Sequence, residues 1–322
     1  MSKIPLRALI SLAFLGLLFF MVRDDISVIL KTLKTMNHGL ATLSALIFLS
    51  AVGIMAIRLR LIFGVNGIPI SLSDAVNLTF VGYFFNNFLP TSVGGDIVKA
   101  LCAARVTKSG VKSASSVLMD RIFGLFTFIL IPSITLMFHL KNIGNPLVPA
   151  MVYTLLFVSI FCFFMIFSRG VARKFRFIEA FLSRFKAGRK IREVYEGLHA
   201  FKHHKGAIFW AMVLSVIGQS ISIVVLYLMA KALGSQVSPV YFFLLVPVVH
   251  LVSMLPSLNG LGIREGAYTY FLAPYMGREY AFALGIIWLG LLILLSIIGG
   301  VIYLIRHDYH IRFKDAAPQM EV

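Results

Sequence analysis

Apolar residues run along this chain in long blocks, and the charged residues gather between them. Six blocks, at about 5–22, 39–57, 115–139, 147–168, 206–230 and 280–305, are long enough to read as membrane-spanning helices, for which about 20 apolar residues suffice. The short alternating segments of a membrane β-barrel are not the pattern here; the blocks are continuous. Two more apolar regions, 72–105 and 239–276, are broken by proline, glycine and charge. The pattern predicts an all-α polytopic membrane protein with about six to eight transmembrane helices. The two broken regions are read either as re-entrant hairpins or as a short span plus a helix.

The breaks share a grammar. The first reads FLPTSVGGD from Phe88 to Asp96, and the second reads MLPSLNGLGIRE from Met254 to Glu265. Each has an apolar run, then Leu-Pro, then Ser or Thr, a glycine pair and an acid. Each is preceded by one span and followed by another. Paired Pro/Gly-interrupted segments in corresponding positions point to an inverted repeat with a binding site between the halves. The expected units are 39–139 and 206–306, joined across a basic segment, 169–205, within one transmembrane domain over 1–322. Irregular backbone at membrane depth is tolerated where protein buries it or where it lines a watery cavity. There, free N–H groups at a helix start can hold an anion. Pro90 and Pro256 end the incoming helices. Gly94, Gly95, Gly260 and Gly262 allow close approach of a head group. Asn86, Asn87 and Asn259 can satisfy freed backbone or touch that head group.

Composition supports the membrane reading. The chain of 322 residues is 59% hydrophobic and only 13% charged, against about 25% charged for a soluble domain, and its mean hydropathy is +0.91. The formal net charge of +17 suggests nucleic acid, but the basic residues flank apolar spans instead of clustering in a soluble domain. The positive-inside rule explains them. It places 169–205 in the cytoplasm, along with Arg58 and Arg60 at the end of the second span and Arg105, Lys108 and Lys112. Both termini then fall inside. This closes only if each broken region starts and finishes on one side, 72–105 inside and 239–276 outside. Phe175, Ile178, Phe181, Leu182 and Phe185 recur at helical spacing among the basic residues, as in a helix lying on an anionic leaflet or an ordinary solvated linker. Residues 1–25 resemble a signal peptide without a small-residue cleavage site and are read as a retained span.

Acids are few, thirteen in all. Asp96, Asp120 and Glu265 sit in or beside apolar segments, where a charge is costly and is usually paired or faces a cavity. Lys99, Arg121 and Arg264 are the cations nearest them in sequence. They are candidates to meet a phosphate while the acids position them or meet a cationic head group. Gln219 is expected to make an interhelical hydrogen bond, and His250 to be a packing residue. Cys102 and Cys162 have no metal or disulfide spacing. No nucleotide-binding loop, zinc-protease motif or nucleophile elbow is present, so no catalytic residue, metal or cofactor is assigned.

Taken together, Arg58, PTSVGGD at 90–96, MDR at 119–121 and LPSLNGLGIRE at 255–265 resemble the lysylphosphatidylglycerol synthase transmembrane-region family, flippase-like integral membrane proteins of bacteria and archaea. The resemblance covers nearly the whole chain. It implies a domain in the prokaryotic cytoplasmic membrane that binds and translocates a lipid, an anionic phospholipid or a polyprenyl-phosphate-linked one. The aminoacyl-transferase domain of the namesake is expected to be absent, which argues against enzymatic activity. Two alternatives stand beside translocation. One is a non-transporting partner that presents lipid to a separate glycosyltransferase or synthase. The other is an intramembrane lipid-modifying enzyme.

Overall fold

The computed structural model describes residues 26–89, 93–139, 147–167, 194, 196–255 and 260–309. The expectations for 1–25, for most of the basic segment 169–205, and for Pro90, Pro256 and Asn259 lie outside the described residues. The described residues form helices and no strand: α1 (Ile26–Thr35), α2 (His38–Val65), α3 (Leu72–Phe88), α4 (Gly94–Thr107), α5 (Gly110–His139), α6 (Leu147–Phe167), α7 (Lys205–Ala232), α8 (Pro239–Val252), α9 (Ile263–Met276) and α10 (Arg278–Ile305). This is the all-α polytopic membrane fold that the apolar blocks predict. α2, α5, α7 and α10 are long and apolar enough to cross a bilayer. α1 has no counterpart among the predicted elements; it packs on α10.

One boundary differs in a way that matters. The second span is expected to end at 57, with Arg58 at its cytoplasmic edge, but α2 runs on to Val65. Arg58 is therefore buried, with 7% of its surface exposed. The apolar run after Arg60, LIFGV, continues the helix, and Asn66 and Gly67 stop it, Gly67 at a φ of 67°.

Each broken region is a helical hairpin. α3 turns back into α4, bringing Gly95 against Gly82, and α8 turns back into α9, bringing Gly260 against Ser253. The 14 residues of α4, α8 or α9 span about 21 Å at about 1.5 Å per residue. That is short of the roughly 30 Å hydrocarbon core.

The order long, short, short, long thus occurs twice, in α2–α5 and in α7–α10. The packing is reciprocal. α3 of the first set lies along α10 of the second, and α8 of the second lies along α5 of the first. The two leading helices, α2 and α7, run antiparallel: Asn37 N–H donates to the Ala232 carbonyl at one end, and Gly218 meets Ala51 and Met55 midway.

These contacts demand small residues. A Cβ on Gly299 of α10 would stand 2.0 Å from the Phe80 carbonyl oxygen of α3, so the helices approach to backbone contact there. Gly299→Ala is expected to cost about 1–3 kcal/mol through overpacking. Gly53→Ala, whose Cβ meets nothing within 4 Å, is expected to cost nothing. Thermal unfolding in detergent measures both, and equal midpoints would refute the assigned approach.

Candidate functional site

Where the hairpin α3–α4 meets α2 and α5, five charged side chains form a ladder of alternating sign. Arg58 Nε donates to Asp120 Oδ1 at 2.8 Å. Lys99 Nζ lies 3.7 Å from Asp120 Oδ2 and 3.4 Å from Asp96 Oδ1. Arg121 Nη1 donates to Asp96 Oδ2. Arg58 Nη1 also donates to Ser215 Oγ of α7 at 2.8 Å. The local reasons are geometric. Asp96 and Lys99, three apart on α4, share a face. Asp120 and Arg121 are adjacent on α5 and point in different directions, so Asp120 takes Arg58 instead of its sequence neighbour. Arg121 takes Asp96.

The other hairpin carries one pair. Glu265 Oε1 accepts from Arg264 Nε at 3.1 Å and Nη2 at 2.8 Å, while Oε2 accepts from the Gly262 N–H at 2.7 Å. Glu265 thus closes the start of its own helix α9 in the manner of a capping box. It is 1% exposed, and Arg264 4%. In the first hairpin the Gly95 N–H donates to Asn86 Oδ1 at 2.9 Å. Both breaks therefore satisfy a freed N–H with a side chain of the protein. Among the described residues, no buried side-chain nitrogen or oxygen lacks a partner.

Two cavities adjoin at these groups. One, of about 230 Å³, is lined by Arg58, Lys99, Asp96, Asp120, Arg121 and Asn86 among others. The second, of about 250 Å³, is lined by Arg264, His250, Trp288, Ser222 and Ser253. Met55, Tyr83, Asn86, Arg121, Phe128, Gln219 and Met254 line both, so the two form one chamber between the hairpins. It brings together Asn86, Asp96, Lys99, Asp120, Arg121 and Arg264. Glu265 stands behind Arg264, and Gly95 behind Asn86. Gly94, Gly260 and Gly262 form the backbone of the breaks and line neither cavity. Asn87 turns away and donates to the Leu292 carbonyl of α10 at 3.2 Å.

Among the lining residues that the pattern of charges alone misses are Arg58, Tyr83, Phe128 and Trp288. Arg58 is carried inside by the apolar run that follows it, which continues α2 to Val65. The aromatic residues were not, because in a chain this rich in them nothing marks the ones that face a cavity. Gln219 makes the interhelical contact expected of it, its Nε2 3.5 Å from His250 Nδ1. His250 Nε2 lies 3.2 Å from the Tyr268 hydroxyl, and its ring stacks on Trp288 at 6.0 Å.

The two four-helix sets can be compared position by position. Counted from the first residue of each helix, Asp96 and Glu265 hold the same place, as do Tyr83 and His250, Lys99 and Tyr268, and Asp120 and Trp288. At two of these places the charged Lys99 and Asp120 of the first set give way to the aromatic Tyr268 and Trp288 of the second. Among the described residues no group of three His, Cys, Asp or Glu side chains is placed to hold a metal ion.

The family model described as "Lysylphosphatidylglycerol synthase TM region" matches residues 6–300 of the chain. No curated protein and no solved structure matches it.

Proposed function

From the premise that the chain belongs to the lysylphosphatidylglycerol synthase TM region family, and is thereby a membrane protein connected to lipid handling, we propose that it takes a lipid head group into the chamber between its hairpins and moves the lipid between leaflets. One observation carries this reading. Charge from both halves, buried Lys99 and Arg264 with partly buried Arg121, lines a single chamber in a protein that exposes many large apolar side chains. Charges at membrane depth are costly and gather where a polar ligand passes.

The repeated helix order, the reciprocal packing and the antiparallel run of α2 against α7 support an inverted repeat, one unit over 39–139 and the other over 206–306. In such a design the two halves rock against each other about a fixed central site. The orientation that best fits the basic residues has both termini in the cytoplasm. The cargo on this reading is an anionic phospholipid or a polyprenyl-phosphate-linked lipid. The polar head travels through the chamber while the acyl or prenyl tail stays in the bilayer.

The test is movement of labelled anionic lipid in proteoliposomes carrying the purified protein. The wild type is expected to move it, and Asp96→Ala, Arg264→Ala and Glu265→Ala each to slow it at least about tenfold, a barrier change of about 1.4 kcal/mol. Wild-type rates in all three variants would refute the site. Lipid that is bound but never moved would instead favour a protein that presents it to a separate synthase.

A further inference from the structure

The two helix seams that cross between the sets are built differently. Along the α3–α10 seam, Gly299 and Gly300 bring α10 against Phe80 and Phe84. Asn87 and Ser296 tie the same seam by donating to the Leu292 and Phe84 carbonyls. Its counterpart, α5 against α8, has a proline inside each helix. Counted from the first residue of each helix, Pro132 of α5 holds the place of Gly300, and Pro247 of α8 that of Phe80. Contacts across the seam set the level of both prolines. Phe128 stands edge-on to the His250 ring at 5.3 Å, and Thr135 and Leu136 share a pocket with Tyr241 and Leu244. Pro132 lies between Phe128 and Thr135 on α5, and Pro247 lies between Leu244 and His250 on α8. Each proline has no N–H, so the Phe128 and Phe243 carbonyls lose their ladder bond at one level of the seam. Just beyond Pro132, Ser133 and Thr135 donate back to the Ile129 and Ile131 carbonyls at 2.6 and 2.9 Å, a pattern that bends helices. Helices bend where the ladder is interrupted in these ways.

A cavity lies on either side of that level. On one side is the chamber, lined there by Phe128 and His250. On the other is the pocket of about 260 Å³, whose lining among the described residues includes Thr135, His139, Ser238 and Tyr241 and no charged side chain. The chamber and this pocket share no described lining residue. From Phe128 to Thr135 is about 10 Å along α5 at about 1.5 Å per residue. Leu136 and Leu244, both buried, fill the seam between them.

Resting on the reading above, we infer that this pocket is the second port of the chamber. The head group reaches it between α5 and α8, when the two helices part at Pro132 and Pro247 and the Phe128 and His250 rings move aside. The structure holds that passage closed. α5 starts beside Lys108 and Lys112 and ends at His139, so in the orientation proposed above the port faces the outer leaflet. Its hydroxyl groups and imidazole offer a head group hydrogen bonds without an ion pair, a site that is easily left. The α3–α10 seam, in backbone contact at the corresponding place, does not open.

The experiment bridges each seam in turn. In a chain with Cys102→Ser and Cys162→Ser, the pair Leu136→Cys with Leu244→Cys is oxidised to a disulfide in proteoliposomes, and bridging is confirmed by mass. Movement of labelled phosphatidylglycerol is read by albumin back-extraction. Oxidation is expected to slow it at least about tenfold, and reduction with dithiothreitol to restore it in the same sample, which a folding defect would not allow. Phe85→Cys with Tyr303→Cys, whose native rings meet across the α3–α10 seam at 5.0 Å, is expected to move lipid equally well oxidised and reduced. Pro132→Ala with Pro247→Ala needs no bridge. It restores both ladders, and it is expected to slow movement while the unfolding midpoint does not fall. Undiminished rates in the bridged α5–α8 pair or in the double proline variant overturn the inference and leave lipid movement intact. A wild type that moves no lipid overturns both.

Discussion

Asp120→Ala is expected to be the most destabilising single substitution in the ladder, at about 3–5 kcal/mol. The carboxylate sits between Arg58 and Lys99, and its side chain is 10% exposed. Removing it leaves Arg58, 8% exposed and held otherwise by one serine hydroxyl, as an uncompensated charge in the interior. An isolated buried charge costs far more than the pair contributes, so the loss measures the orphaned guanidinium more than the lost bond. The double change Arg58→Met with Asp120→Leu is therefore expected to recover most of the stability, because apolar groups of similar volume fill the place without a desolvation cost. The readout is the unfolding midpoint in detergent for the two single variants and the double. Additive losses would show that the pair is not the unit assumed here. Lipid movement is expected to stay low in the stable double variant, which separates the ladder's contribution to function from its contribution to folding.

Much of this architecture can be read from the chain. The long apolar blocks give α2, α5, α7 and α10, because helices facing lipid must be apolar around most of their surface. The Leu-Pro and glycine pairs mark both hairpins, because a break at membrane depth needs a stop and a close turn. Asp96, Lys99, Asp120, Arg121 and Arg264 stand out because charge is scarce in an apolar chain. Their pairing is less legible. Asp120 finds Arg58, 62 residues away, through the approach of α2 to α5, and sequence proximity points to Arg121 instead. Arg58 itself reads as the end of a span under the positive-inside rule, which has no means of telling a cytoplasmic arginine from one folded back into the core. The aromatic half of the chamber is silent for another reason. A tryptophan or tyrosine in a membrane helix is ordinary, and the correspondence of Trp288 with Asp120 emerges only when helix starts are fixed.

Lys99→Met is expected to reduce retention of anionic lipid about a hundredfold while leaving the chain folded. Lys99 is the cation between the two carboxylates, and its stem packs against Gly82, where a Cβ would lie 3.0 Å from Lys99 Cε. Methionine keeps that stem and removes the charge. The chamber lining then falls from four cations and two acids to three and two. At about 6 Å and an effective dielectric of about 20, one unit charge is worth about 3 kcal/mol to an anion, about a hundredfold in affinity. Adding Asp96→Asn removes one acid, returns the lining to its original balance and relieves the repulsion between Asp96 and Asp120. If Lys99 acts by balancing charge, the double variant recovers most of the retention. If Lys99 grips the head group itself, the double variant stays as weak as the single one, and the charge-balancing role is wrong. Retention measured at two ionic strengths sharpens the distinction. Screening acts less on a buried contact than on an exposed one, so a defect seated in the chamber is expected to persist as salt rises.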